Sequence, residues 1–313
     1  MVKDNKFILT INTLEKHPCL TISEEQFEQI KLHKKTLQAA LAIEEKYELL
    51  MCNYKEYERD VLEASLDHML TFSMEYSKFL DERIRFNRRL VNILTASKMY
   101  MDQMERHLRD CLPAEDKVEL AEYFKTLRSE QYNRHFEYAF FEALRNHAQH
   151  AGLCVSAVRQ DVRNALARDE LREWQFNTQV FCSKKFLSEN PDFKKSVLKI
   201  MPDEVELTSA LRQYISSIGE IHNSIRSKIE IPVNESRAML GRVIESYNVV
   251  SGLGTELVHA NHYSGSDALV EIVPIFLEWD NVRIALQQKN LRITNLAFRH
   301  VATPRYIPKK ARK

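Results

Sequence analysis

Between residues 19 and 112 the chain contains neither glycine nor proline. These are the residues that punctuate regular structure, so a stretch this long without them reads as helix. It is too long for one straight globular helix and must fold back on itself. Asn53 and the region around Thr71 to Ser73 are the expected breaks. The remainder is nearly as poor in breakers, with 6 glycines and 8 prolines among 313 residues, so the expected fold class is all-α. The expected plan is a multi-helix bundle with long helices and a small β-hairpin insertion.

Composition narrows the function classes. Hydrophobic residues at 44% and charged residues at 28% belong to an ordinary globular chain. A net charge of +1 excludes nucleic-acid binding through bulk charge, so any RNA contact must come from local patches. No apolar run approaches the roughly 18 residues of a membrane span. The first residues carry Asp4 and Glu15 and lack the apolar core of a secretory signal. The five cysteines are odd in number and widely spaced, with no C-x-x-C, which suggests neither a disulfide framework nor a zinc site. A reducing cytoplasm is the expected compartment, with no membrane partner, no metal and no cofactor.

In order, residues 1–20 read as an N-terminal arm, with a short strand at 6–13, and residues 21–300 as a single helical domain. Ser23 and Gln26 form a capping box that starts the first helix. Helices are expected at 83–110, ended by Pro113, and at 116–128. At Trp174, Phe176, Thr178, Val180 and Cys182, apolar or small residues alternate with mostly polar ones at strand period. They give a hairpin at about 156–183, with Trp174, Phe176 and Val180 on one buried face. Asn190-Pro191 and Pro202-Asp203 read as helix starts, the second helix reaching Ile229 before Pro232. A further helix should begin at Asn234, be interrupted at Gly252 and Gly254, and end at Gly265; a last one, kinked at Pro274, should span 267–299. Residues 301–313 form a basic tail.

The residues that look like chemistry lie in a helix expected at about 131–151, stopped by Gly152. Wound at about 100° per residue, Phe136, Phe140, Leu144 and Ala151 make a core stripe. Arg145, Gln149, Glu142, Asn146 and His150 occupy a separate polar arc. Arg145 and His150 stand about 140° apart around the axis and about 7.5 Å along it, flanking Asn146 as one wall of a groove.

The sequence Arg145-Asn146-His147-Ala148-Gln149-His150 resembles the motif of the HEPN family of helical proteins, many of them RNA-cleaving toxins and defence proteins. That motif is an Arg, often followed by a polar residue, with a His a few positions on. The resemblance spans about a dozen residues, EALRNHAQHAGLCV. Some members carry a Tyr two residues after the His; here that position is Gly152. The resemblance implies a HEPN-like bundle, an RNA substrate, a homodimer through the motif helix, and an antitoxin or defence-system partner.

The chemistry suits the residue types. Arginine donates two parallel bonds to a phosphate, and histidine moves protons near neutral pH. Attack of an RNA 2′-OH on the adjacent phosphorus needs an acid and a base but no metal. One helix supplies one such His, and a twofold dimer supplies the second. Arg145 and His150 are therefore the expected catalytic pair, with Asn146 orienting His150 or a phosphate. Gln149 and the tail residues Arg305, Lys309, Lys310, Arg312 and Lys313 are expected RNA contacts. The same residues also read as ordinary helix-surface pairs and a solubilising tail. The alternative function is a non-catalytic helical module that binds or regulates. His147 falls on the core arc, Tyr138 and Phe141 on a second apolar face suited to a dimer contact, and His222 and His259-x-x-His262 read as surface or helix-end residues.

Overall fold

The breaker-free stretch folds as two helices, α1 (Glu24–Thr71) and α2 (Tyr76–Cys111). The computed structural model describes residues 5–12, 17–71, 76–112, 117–166, 172–265 and 267–301. With 48 residues, α1 is about 70 Å long at 1.5 Å per residue. It starts at the expected capping box: Ser23 N donates to Gln26 Oε1 at 2.9 Å, and Gln26 N to Ser23 Oγ at 3.1 Å. It does not break at Asn53, whose side-chain amide donates back to the Leu49 carbonyl at 2.8 Å. Buried Leu50, Tyr54 and Tyr57 hold that section in the core. The two helices run antiparallel, fixed by Arg89 Nε to Asp60 at 2.7 Å near one end and Thr36 Oγ1 to the Asp110 carbonyl at 3.2 Å near the other. Pro113 lies outside the described residues.

α3 (Lys117–Arg134) and α4 (Phe136–His150) follow. The single helix expected at 131–151 is divided at His135, which is extended (φ −121°, ψ 117°) and whose carbonyl accepts the first bonds of α4. Gly152 is not in the left-handed conformation expected of a helix terminator. A Cβ there would sit 3.4 Å from Nε2 of His147, so its small size leaves room for that ring.

β3 (Ala157–Leu166) and β4 (Arg172–Ser183) form the expected hairpin, extended by β5 (Glu204–Glu206). The shared buried face is incomplete: Val180 is buried and Phe176 half-buried, but Trp174 is 59% exposed. The contacts that hold the ribbon to α1 come from its base, where Thr178 N donates to Ser65 Oγ at 2.9 Å. Asn190-Pro191 lies in a turn between the short helices α5 (Lys184–Ser188) and α6 (Lys195–Ile200).

α7 (Leu207–Ser251) corrects two expectations. It begins after β5 rather than at Pro202, with the Glu206 carboxylate accepting from Thr208 N and Ser209 N. It also runs through Pro232 without ending. Buried Ile229, Val233 and Leu240 keep this section packed, and Ser236 Oγ, 2.9 Å from His33 Nδ1, ties it to α1. Gly252, with φ 70°, ends the helix.

The helices expected beyond Gly252 are mostly strand. β6 (His259–Tyr263) and β7 (Leu269–Pro274) precede α8 (Glu278–Lys289). They join β1 (Lys6–Thr10) and β2 (Leu20–Ile22) in an antiparallel sheet of order β2-β1-β6-β7. The N-terminal arm thus supplies an inner strand, with Phe7, Ile8 and Leu9 buried. The fold is mostly helical with two small antiparallel sheets, not all-α. Its core lies where α1, α2, α4 and α7 meet. Among the described residues, no helix is long and apolar enough to cross a membrane.

Candidate functional site

α4 buries both of its apolar faces within the chain. Phe140 and Leu144 are fully enclosed and Phe136 is half-buried, as the core stripe predicts, but Ala151, expected at its end, lies past the last turn of α4 and is exposed. Tyr138 and Phe141, expected on a dimer face, instead meet Tyr214 of α7, with ring centroids 5.5 and 5.0 Å away. His147 is buried, as predicted. Its Nδ1 lies 3.0 Å from the Asn190 side-chain amide nitrogen and its Nε2 3.2 Å from the Leu153 carbonyl. Only one neutral tautomer satisfies both: Nδ1 accepts from Asn190 and Nε2–H donates to Leu153. Burial lowers the pKa of this ring. The chain beyond α4 is pinned to α2 by buried Asn87, whose Oδ1 accepts from Cys154 N at 2.7 Å and Val155 N at 2.9 Å.

What remains of α4 is its polar face. Asn146, Gln149 and His150 are exposed, and Arg145 is largely covered, its side chain 12% exposed. Arg145 Nη2 donates to Asn146 Oδ1 at 2.8 Å, and Nη1 stands 3.7 Å from Glu142 Oε2. Its Nε is buried without a hydrogen-bond partner. Glu142 also accepts from the Tyr214 hydroxyl at 3.2 Å. Arg145 and Asn146 are thus in direct contact. The side chain of His150, in the last turn of the same helix, makes no hydrogen bond to another described residue, and neither does that of Gln149. Arg305, Lys309, Lys310, Arg312 and Lys313 lie outside the described residues.

His222 is not a surface residue. It is fully buried, its ring stacked on Tyr47 at 3.7 Å, Nδ1 2.9 Å from the Tyr100 hydroxyl and Nε2 3.4 Å from Glu44 Oε2. Arg226 completes the cluster with bonds of 2.8 and 2.5 Å to the Glu44 carboxylate. The sequence held the signal, because residue 222 shares a helical face with Ile218, Ile225 and Ile229.

His259 and His262 lie on β6, not at a helix end, and three positions along a strand places them on opposite faces. His262 stacks on Phe7 at 4.5 Å. Among the described residues, no group of three or more His, Cys, Asp or Glu side chains could hold a metal ion.

Comparison with models of known families, with curated proteins and with solved structures returned no match.

Proposed function

We propose that this protein is a HEPN-type endoribonuclease, a toxin or phage-defence effector that cuts RNA by attack of the substrate's own 2′-OH. The observation that supports it is the polar face of α4. The helix is otherwise consumed by the core, yet it turns Asn146, Gln149 and His150 to solvent beside a largely covered Arg145. Arg145 holds the scissile phosphate and offsets the charge that develops on it. His150 carries protons, and a second copy related by a twofold axis brings the second His150. Because the apolar residues of α4 are engaged within the chain, the two copies meet there through polar contacts.

A non-catalytic binding module is the second reading. It is favoured by the engagement of the Arg145 guanidinium with Asn146 and Glu142 within the chain. The deciding experiment compares wild type with His150→Ala on labelled RNA in excess chelator. The expected result is wild-type cleavage to 2′,3′-cyclic phosphate and 5′-hydroxyl ends, no cleavage by the variant, and no cleavage of DNA, which lacks the nucleophile. Equal cleavage by both proteins overturns the enzyme reading. Binding of RNA without cleavage by either supports the module.

A further inference from the structure

α3 and α4 line a second feature, an open cavity that shares Glu142 with the polar face described above. A cavity of about 180 Å³ is lined by Lys125, Arg128, Ser129 and Tyr132 of α3 and by Tyr138 and Glu142 of α4. Two buried polar atoms belong to its wall, Nε of Arg128 and the hydroxyl of Tyr138; the two side chains lie beside one another, but neither atom makes a well-formed hydrogen bond. Tyr138 is only 2% exposed. Leaving such groups unmatched costs stability, so an ordered water or a ligand with acceptor atoms is favoured beside them.

The charge in this region is mainly positive. Lys125 and Arg128 line the cavity, and Lys194 lies 4.6 Å from the centroid of the Tyr132 ring. Against them stands Glu142, already engaged by Tyr214 and close to Arg145. Lys125 also has Glu122 at 3.7 Å, an exposed and therefore weak pair. Burial pushes the Tyr138 phenol up to about 12, so at neutral pH it carries a proton to donate. Two cations and three hydroxyl side chains, set against the one carboxylate of Glu142, match an oxyanion with several acceptor oxygens.

We infer that this cavity binds a phosphate group, with Arg128, Tyr138 and Ser129 donating to its oxygens and Lys125 supplying charge at the mouth. The phosphate belongs to an RNA strand or to a free nucleotide. Tyr138, Glu142 and Arg145 follow one another at i, i+4 and i+7 on α4, so the cavity, lined by the first two, extends from about 4 to about 10 Å along the axis from Arg145. A strand held at Arg145 therefore anchors a neighbouring phosphate between α3 and α4. This extension rests on the ribonuclease reading; the phosphate site itself does not.

The test uses the full-length protein, with direct binding of a fluorescent single-stranded RNA and of a nucleoside monophosphate across a salt series. Arg128→Gln should weaken binding of the RNA by about ten-fold or more, and lower the salt slope by about 0.7. Tyr138→Phe should weaken binding too, while leaving the melting temperature unchanged or higher, because it removes an unmatched buried hydroxyl. A hydroxyl that served only the fold would instead lower the melting temperature. RNA bound and nucleotide not bound assigns the phosphate to a strand; both bound assigns a free-standing phosphate site. Wild-type affinity in both Arg128→Gln and Tyr138→Phe overturns the inference, as does failure of wild type to bind either probe. Cleavage lost in His150→Ala, with binding untouched by Arg128→Gln, removes the cavity and leaves the ribonuclease standing. Binding lost in Arg128→Gln, with no cleavage by wild type, does the reverse.

Discussion

The carboxylate of Glu44 lies 3.4 Å from Nε2 of His222, and both side chains are closed to solvent. Burial acts to raise the pKa of Glu44, but the close approach of the His222 ring and the hydrogen bonds from Arg226 outweigh it and bring the group from its ordinary 4.5 down to about 2. Burial lowers His222 below its ordinary 6.5 against the pull of Glu44. Both shifts act in the same direction. The unfolded chain takes up the His222 proton as pH falls through 6.5 and the Glu44 proton through 4.5, before the folded chain does. Stability is therefore full above about pH 7 and falls in acid, with Glu44 contributing roughly 3 kcal/mol that is lost between pH 4.5 and 2. Denaturant midpoints from pH 8 to pH 2 check this, and a flat profile would contradict it. Glu44→Ala at pH 7 strands Arg226 and His222 and should cost about 3 to 5 kcal/mol.

Gly219 and Gly241 both lie in α7 and should respond oppositely to alanine. A Cβ at Gly219 would approach the Tyr47 hydroxyl to 3.2 Å, and Tyr47 is held in place by its stack on His222. Gly219→Ala should therefore destabilise by about 1 to 3 kcal/mol despite its better helix propensity. Nothing lies within 4 Å of the corresponding point at Gly241, so Gly241→Ala should stabilise by about 0.5 to 1 kcal/mol. Chemical denaturation of the two single variants reads the difference in sign.

Arg145→Lys keeps the charge but loses the planar fork that now reaches Asn146 with one arm. If the residue holds a phosphate in two-point contact, the cleavage rate should drop about 100-fold or more, with little change in melting temperature. Single-turnover kinetics under saturating protein measure this directly. A lysine variant as fast as wild type would show that only charge is needed there.

His147→Ala removes the bonds to Leu153 and Asn190 and the edge contacts of its ring with Phe186 and Phe193. The expected loss is about 2 to 4 kcal/mol of stability. Cleavage per folded molecule should persist and give the same product ends. Loss of chemistry in a variant that melts like wild type would assign His147 a direct role.

Much of the helical framework was legible because it depends on local signals. The capping box at Ser23 and the apolar stripe of α4 need only neighbouring residues to be read, and so did the inward position of His147. The hairpin followed from alternation, though not the exposure of Trp174, which depends on how far the ribbon extends past α1. The second sheet was not legible. β6 has the sequence HANHY, with no strong apolar alternation, and is a strand because β1 lies beside it. Pro232 misled for a similar reason: its cost to a helix is local, whereas the packing that holds α7 together is not. At the candidate site, the sequence placed Arg145, Asn146 and His150 on one polar face. The arginine and tyrosine of the α3–α4 cavity come from two helices, and no single-helix pattern joins them.

The pairing of β1 with β6 joins Ile8 to Asn261, and Asn12 to Asn261 through their side-chain amides, across 249 residues in the latter case. A ribosome adds about 5 to 20 residues per second, so roughly 12 to 50 seconds separate the emergence of the two partners. During that interval Phe7 and Leu9 have no β6 to pair with, while α1, α2 and α4 emerge in turn. The helical body can thus assemble first, and the sheet closes last, as the step that secures the beginning of the chain to its later part.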